Sequence, residues 1–215
     1  MKTASPWPWL RSALRALALL LGVVASAPAF ADSRELYVLA EGGPTLLALK
    51  DTQTKQAHAG QLGCMGGVTA YYGLTDTIHV GLAGRFSLAD NAAFGPLTVS
   101  GLPSGTLYEN VTAIGGDAVF VYRGDTGYAF APVARAQAGL EYISYSGQQL
   151  ITADLSHATS FPDQTQVVLG IQLAVALEYR LSDHWVVSVG VAGRLNTTPL
   201  SPFQFTLPVT LGGVW

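Results

Sequence analysis

Residues 166–179 have the sequence QVVLGIQLAVALEY, and this stretch decides the fold class. Its odd-numbered positions, from Val167 to Tyr179, are all apolar, whereas most even-numbered positions are Gln, Gly, Ala or Glu. Successive side chains of a β-strand point to opposite faces of the sheet, so strict alternation over this length predicts a long strand with one apolar face.

The next segment repeats the alternation and predicts a hairpin. After a turn at 181–184, apolar residues recur at every second position from Trp185 to Val191. A related phrase occurs earlier, where the turn at 74–77 precedes alternating residues that begin at Ile78. Both second strands also carry Ala-Gly-Arg, at 83–85 and 192–194, which is a weak internal repeat and favours a meander of hairpins.

The rest of the chain completes eight candidate strands, near residues 35–48, 61–73, 78–90, 106–123, 127–145, 165–180, 185–195 and 203–215. Short turns alternate with longer loops rich in Gly, Ser, Thr, Asn and Pro. The turns are 74–77, 124–126 (served by Asp125 and Gly127) and 181–184, and the loops are 49–60, 91–105, 146–164 and 196–202. This pattern predicts an all-β, antiparallel, up-and-down transmembrane barrel.

Composition supports a membrane environment. Only 12% of the 215 residues are charged and 49% are hydrophobic, whereas about 25% are charged in ordinary soluble proteins. The only approximation to an apolar run long enough for a helical span lies at the N-terminus. The second strand face, with its small residues, suits a narrow lumen, although a soluble lipocalin-like ligand carrier is the alternative. The formal net charge of -3 gives no reason to expect a nucleic-acid partner.

The N-terminus has the features of an export signal. Lys2, Arg11 and Arg15 precede an apolar segment at 16–25, and Ala29-Phe30-Ala31 follows as an A-x-A cleavage signature. We therefore expect residues 1–31 to be a cleaved signal peptide and residues 32–215 to form the barrel domain. A short anchoring helix is the alternative.

The C-terminal segment, FQFTLPVTLGGVW at 203–215, is apolar at alternate positions and ends on an aromatic residue. In this it resembles the small eight-stranded outer-membrane proteins, the OmpA transmembrane domain and the OmpX-like group. The resemblance implies a location in the bacterial outer membrane, contact with its lipid, and recognition of the last strand by the barrel assembly machinery during biogenesis. The residues expected to carry that assembly signal are Phe205, Leu207, Val209, Leu211 and Trp215. Pro208 departs from a smooth strand, because it removes one ladder donor.

Ionic residues recur near the middle of the predicted strands, at positions whose side chains point into the barrel. They are Arg85, Asp117, Arg135 and Arg194, and Glu41 is a candidate fifth member. An unpaired charge in a narrow, low-dielectric lumen costs several kcal/mol, so we expect these side chains to pair. The resulting network predicts a plugged lumen, and a gate or a narrow ion pathway is the alternative.

Aromatic residues cluster near the short turns, where a girdle at the headgroup level of a membrane is expected. They are Tyr72, Tyr122, Tyr179, Trp185 and Trp215. Ordinary sheet packing is the alternative role. The single cysteine, Cys64, has lipid-facing parity, and we expect it to be a small apolar filler.

Residues with catalytic potential are dispersed. His157 and Ser160 share a predicted loop, and small membrane barrels include lipid A-modifying enzymes that use Ser and His. Those enzymes need a nucleophile and a base within hydrogen-bond reach and an orienting acid, whereas these two residues lie in flexible loop sequence. His58, His79 and His184 show no spacing of metal ligands.

We therefore expect no cofactor, no metal and no catalysis, and predict a structural or surface-interaction role through the long loops, toward an unknown surface ligand. A small pore or channel and, less favoured, a lipid A-modifying enzyme are the alternatives.

Overall fold

The computed structural model describes residues 35–56, 60–99, 101–124, 130–152, 154, 157–198 and 200–215. These residues form strands and their connections, and they include no helix long and apolar enough to span a membrane. The strands are β1 (Leu36–Ala48), β2 (Gln61–Gly73), β3 (Ile78–Leu97), β4 (Gly105–Arg123), β5 (Phe130–Thr152), β6 (Ala158–Ser160), β7 (Gln164–Ser182), β8 (Trp185–Asn196), β9 (Phe203–Thr206) and β10 (Val209–Val214).

The strands close into a ring with eight walls. β1 to β5, β7 and β8 pair in sequence order, and β9 and β10 together form the eighth wall, because both pair with β1 and with β8. The short β6 adds to β5 outside this path. All these pairings are antiparallel, which confirms the predicted up-and-down barrel. A closed ring satisfies the strand edges that an open sheet would leave unpaired.

The predicted last strand is interrupted, which corrects the single strand expected at 203–215. β9 ends at Thr206 and β10 begins at Val209, because Pro208 has no N–H to give to the ladder. The barrel stays closed across the gap. The Leu207 N–H donates to the Pro44 carbonyl at 3.2 Å, and the Pro208 carbonyl accepts from the Gly190 N–H at 3.1 Å.

Two strands extend well beyond their predicted ends. β3 continues to Leu97 and β5 to Thr152, where loops were expected, and β4 pairs with both up to Gly105. The loops predicted at 91–105 and 146–164 are therefore partly wrong. Asn91 and Gly147 adopt positive φ values of 50° and 63°, close to the shifts in register that let the ladders continue. We call residues 89–97, 105–112 and 144–152 the upper sheet.

The apolar strand face points outward. On β7, Ile171 and Leu173 are 53% and 65% exposed, whereas Gln172 and Ala174 between and beside them are each 7% exposed. The other walls repeat this alternation, so an apolar belt surrounds the barrel from the short-turn side upward. Its uppermost residues on β3, β4, β5 and β7 are Leu88, Ile114, Tyr142 and Val167. A soluble ligand carrier would bury that face, and a continuous exposed apolar belt requires apolar surroundings instead.

Some sequence predictions lie outside the described residues. They are the signal peptide at 1–31, the turn residues Asp125 and Gly127, and His58. They remain predictions.

Candidate functional site in the barrel interior

The middle of the bore contains a ring of four charged side chains. The Arg85 guanidinium contacts Asp117 Oδ2 at 3.0 Å and Glu141 Oε1 at 2.8 Å. The Arg194 guanidinium contacts the same two acids from the other side, at 3.1 Å from Asp117 Oδ1 and 3.5 Å from Glu141 Oε2. Their side chains are at most 5% exposed. Each charge is therefore shared between two opposite charges inside the barrel.

A second ion pair lies beside this ring. The Arg135 Nη1 donates to Glu41 Oε2 at 3.2 Å, and both side chains are buried. Together with the ring, this gives three arginines and three acids, with no net charge. Neutrality matters here, because removing one partner of a buried pair leaves an uncompensated charge at a cost of roughly 3 to 5 kcal/mol.

The five residues that the sequence singled out all lie in this interior layer, and the structure adds Glu141. That residue was missed, although its signal was present: Arg135, Gln137 and Glu141 share one parity on the same strand. On the inward face of β5, Arg135 and Glu141 thus lie on either side of Gln137. The predicted set contained three arginines but only two acids, so a neutral interior required a third acid.

A glycine makes room for the ring. A methyl group built at Gly170 would overlap the guanidinium of Arg194. That guanidinium is held by Asp117, and its Nε also donates to Asn196 Oδ1 at 3.1 Å, so it has little freedom to move away. Glycine is thus required here by the close approach of a fixed side chain.

Above the ionic layer the interior is apolar. A buried cluster fills the space inside the upper sheet; its members are Leu47, Leu49, Ala89, Ala92, Phe94, Leu97, Leu107, Val111, Ala113, Ile143, Tyr145, Leu150, Val168 and Leu200. Val99, Leu102 and Phe161 pack against it from the connections at this end. We call this cluster the upper core. It has the composition of the core of a soluble β-barrel rather than that of a water-filled channel.

Below the ionic layer, toward the short turns, an aromatic cluster fills the bore. The rings of Tyr37 and Tyr71 stack with centroids 4.8 Å apart, and the His79 ring stands edge-on to both at 5.3 and 5.4 Å. All three side chains are at most 2% exposed. An ion pair between the partly exposed Arg123 and the buried Glu178, with Nε 2.8 Å from Oε1, lies at the same end. From the sequence, His79 was considered only as a metal ligand, and its two tyrosine partners were missed.

The aromatic residues predicted to form a girdle lie on the outer face. Tyr72, Tyr122, Tyr179, Trp185 and Trp215 are between 38% and 65% exposed, and all lie near the short-turn end of the barrel. Phe130 joins them, with its ring 4.7 Å from that of Tyr179. Cys64 is exposed on the outer face, as its parity indicated.

The positions considered for chemistry are peripheral. His157 and Ser160 are exposed at the upper end, where Ser160 belongs to β6. His184 lies in the turn after β7, with its Nδ1 3.4 Å from the Val214 carbonyl oxygen. No group of three or more His, Cys, Asp or Glu side chains suited to a metal ion occurs in the described part of the chain.

Comparison with known proteins identifies relatives of this architecture. The family model described as outer membrane protein beta-barrel domain matches residues 16–207. Among curated proteins, none matches the sequence significantly.

Solved structures that match this chain come from several bacteria. Neisserial surface protein A is similar with a TM-score of 0.55 at 14% identity, over 83% of this chain and 96% of that one. The N-terminal β-barrel domain of OprF from Pseudomonas aeruginosa has a TM-score of 0.47 at 14% identity, over 85% and 98% of the two chains. Ail, the attachment invasion locus protein of Yersinia pestis, has a TM-score of 0.47 at 10% identity, over 85% and 99%. The first of these similarities supports the barrel fold and extends nearly the whole length of the relative.

Proposed function

The chain belongs to the outer membrane protein β-barrel domain family, and from this premise we propose that it is a closed, non-enzymatic barrel with a structural and surface-interaction role. The family confirms the predicted resemblance to small eight-stranded barrels and the predicted location in the bacterial outer membrane. The apolar belt then contacts lipid. The upper sheet and its loops extend beyond the belt, on the side away from the short turns, which in such barrels is the cell exterior.

The observation that carries the proposal is the filled interior. An apolar upper core, a neutral ionic layer and an aromatic cluster follow one another along the bore. Eight strands enclose a space that side chains alone can fill, so this arrangement supports a plug rather than a pore.

The upper sheet supplies the surface for interaction. Above the belt, its outward side chains change from apolar to polar, with Asn110 and Thr112 on β4 and Ser144, Ser146 and Gln149 on β5. Tyr108 stands among them, 36% exposed. A rigid sheet that presents hydroxyl, amide and phenol groups beyond the membrane is suited to hold a partner, and we propose that the unidentified ligand binds there.

The test is complementation of a deletion strain with the wild-type protein or with a variant that lacks the upper sheet. Replacing residues 90–110 by an Asn-Gly turn connects Ala89 to Val111, which are already paired. Replacing residues 146–163 in the same way connects Tyr145 to Gln164, which are also paired. This shaved variant keeps the belt and the ionic layer.

Three measurements then separate the function classes. We expect the shaved variant to restore resistance of the cells to detergent but not their binding to immobilised glycans and matrix proteins. We expect the mass spectrum of lipid A to be the same in deleted and complemented cells. A change in lipid A acylation that depends on the protein would contradict the non-enzymatic proposal, and equal binding by shaved and wild-type cells would contradict the proposed surface.

A further inference from the structure

The loop after β1 crosses the mouth of the barrel. We call residues 50–56 the mouth loop. Its Thr52 Oγ1 lies 3.0 Å from Glu109 Oε2 on β4 and 2.8 Å from Gln148 Oε1 on β5. β1 has β2 and β10 as neighbours in the ring, so β4 and β5 belong to the opposite wall. The loop therefore spans the mouth above the upper core and is attached on the far side.

The attachment point is buried, but it lies beyond the membrane. Thr52, Glu109 and Gln148 are at most 3% exposed. The outward neighbours of Glu109 on β4 are Tyr108 and Asn110, which are above the last apolar row of the belt at Ile114. The mouth loop and its contacts thus experience the pH of the external medium.

The orientation of Gln148 is fixed by its other contacts. Its Nε2 donates to the Tyr145 carbonyl at 3.3 Å, and its Oε1 accepts from Gln53 Nε2 at 2.9 Å. The atom that faces the Thr52 hydroxyl is consequently an acceptor.

The hydrogens at Thr52 can be counted. Its hydroxyl has one hydrogen but lies within hydrogen-bond distance of two acceptor groups, the Glu109 carboxyl and Gln148 Oε1. If Glu109 is ionised, one of the two short oxygen–oxygen contacts has no hydrogen in it. If Glu109 is protonated, its O–H donates to Thr52 Oγ1, and the Thr52 O–H donates to Gln148 Oε1. Only the protonated carboxyl satisfies both contacts.

We propose that the mouth loop is a pH-dependent lid, which a proton on Glu109 holds over the upper core and which is released when that carboxyl ionises. The internal turn of the loop does not use this proton, since the Asp51 carboxylate accepts the backbone N–H groups of Gln53 and Gln56, each at 3.0 Å. The lid would therefore move as a preformed unit. The ionic layer beneath it stays closed in both positions.

The charged and titratable groups around Glu109 come from the loop and from β5. They are Asp51, Lys55 and Tyr145. Burial raises the pKa of Glu109 to about 7, and the charge of Asp51 adds to the rise. Donation of the Thr52 hydroxyl to the ionised carboxylate and the charge of Lys55 oppose it. The balance favours the protonated carboxyl in mildly acidic medium.

The direction of the pH effect follows from linkage. Because the pKa is raised in the closed state, the contribution of Glu109 to closure is complete below the ordinary value of 4.5 and is lost as the pH rises through about 7. Between about 4.5 and 7 each pH unit lowers the ratio of closed to open lid by up to about tenfold, and the ratio levels off above about 7.

The test is a distance measurement on the full chain in lipid nanodiscs. Nitroxide labels are placed at Gln56 in the loop and Gln149 on β5, both exposed, in a Cys64→Ala background. Double electron–electron resonance at pH 5 to 9 is expected to give one narrow distance at pH 5. A longer, broader population should grow as the pH rises from 5 to about 7 and should level off above that.

Three variants decide the cause. Glu109→Gln retains a donor to Thr52 and should keep the narrow distance up to pH 9, whereas Thr52→Val should give the broad population already at pH 5. Asp90→Asn, a matched change of an exposed carboxylate on β3, should titrate like the wild type. A wild-type distance that is unchanged from pH 5 to 9 would overturn the lid, as would a Glu109→Gln variant that still titrates or a Thr52→Val variant that stays closed at pH 5.

Discussion

A buried arginine is stable in a protein interior only when carboxylates and hydrogen bonds replace the water that it loses. In the four-membered ring of Arg85, Arg194, Asp117 and Glu141 the carboxylates supply this compensation, because each acid contacts both arginines. Each of the four side chains contacts two partners of opposite charge. Loss of one arginine therefore leaves two acids with one cation between them.

The first prediction concerns this ring. Replacing Arg85 by Ala should lower the free energy of unfolding by on the order of 3 to 5 kcal/mol, because Asp117 and Glu141 stay buried with one cation fewer. Urea unfolding of the barrel in lipid vesicles measures the change. The matched control is Arg180→Ala, whose pair with Glu35 is about one-third exposed and should cost about 0 to 1 kcal/mol. Equal costs for the two variants would show that the ring is not isolated from water.

Much of this layer could be predicted from single residues, and the reason is parity. In a strand, residues two apart share a face. Once one apolar residue is known to point outward, the direction of every other side chain on that strand follows. This placed Arg85, Asp117, Arg135 and Arg194 inside. Parity does not specify which charges meet, because partners come from strands whose relative stagger is set by closure of the barrel. The contacts of Arg194 with β4 and β5 across the bore were therefore not predictable.

At the scale of elements, a long strand has one part within the apolar belt and another part above it. β4 is outwardly apolar from Tyr122 to Ile114 and outwardly polar from Thr112 to Thr106, although the ladder with β5 continues through both parts. Hydrophobic alternation detects the first part and ends with the membrane belt. The β3 and β5 parts of the upper sheet were missed for this reason, since their outward residues are those of loops and only their inward face is apolar, whereas the β4 part lies within the predicted strand 106–123.

The second prediction uses this division. Replacing Ile171 by Arg places a charge in the apolar belt and should destabilise the folded barrel by roughly 2 to 4 kcal/mol. Thr165→Arg lies on the same strand and the same outward face but above the belt, and should cost about 0 to 1 kcal/mol. Folding yields into vesicles, measured by heat-modifiable migration, compare the two. Similar yields for both variants would be inconsistent with a lipid-facing belt.

The third prediction concerns the closing strand. Trp215 is the last residue, and its backbone exchanges two hydrogen bonds with Leu36, at 2.7 and 3.0 Å, which join the end of the barrel to its beginning. We expect deletion of Trp215 to leave most of the protein unassembled in the periplasm, through loss of this closure and of the proposed assembly signal. Cell fractionation with heat-modifiability measures the assembled share.

The control for that deletion is Trp185→Ala. Trp185 is an exposed girdle residue at the same height on β8, opposite Gly213, but it does not end the chain. Its loss should leave assembly near the wild-type level. Wild-type assembly of the Trp215 deletion would remove the assembly-signal proposal.

At the scale of the whole molecule, two apolar regions enclose a charged one. The upper core and the aromatic cluster lie above and below the ionic layer, so the six charges are separated from both aqueous sides by packed side chains. Low dielectric strengthens the attractions between these charges and raises the cost of separating them. The same arrangement removes a continuous path for water, which is why we regard the barrel as a support for its outer surface.

The measurement that tests this claim most directly is single-channel recording of the purified wild-type protein in planar lipid bilayers. A bore filled by the upper core, the ionic layer and the aromatic cluster predicts a baseline without stable conductance steps, at pH 5 as well as at pH 9, since lid movement leaves the lower layers in place. Stable, large, porin-like steps in the wild-type protein would contradict the closed interior and favour a pore.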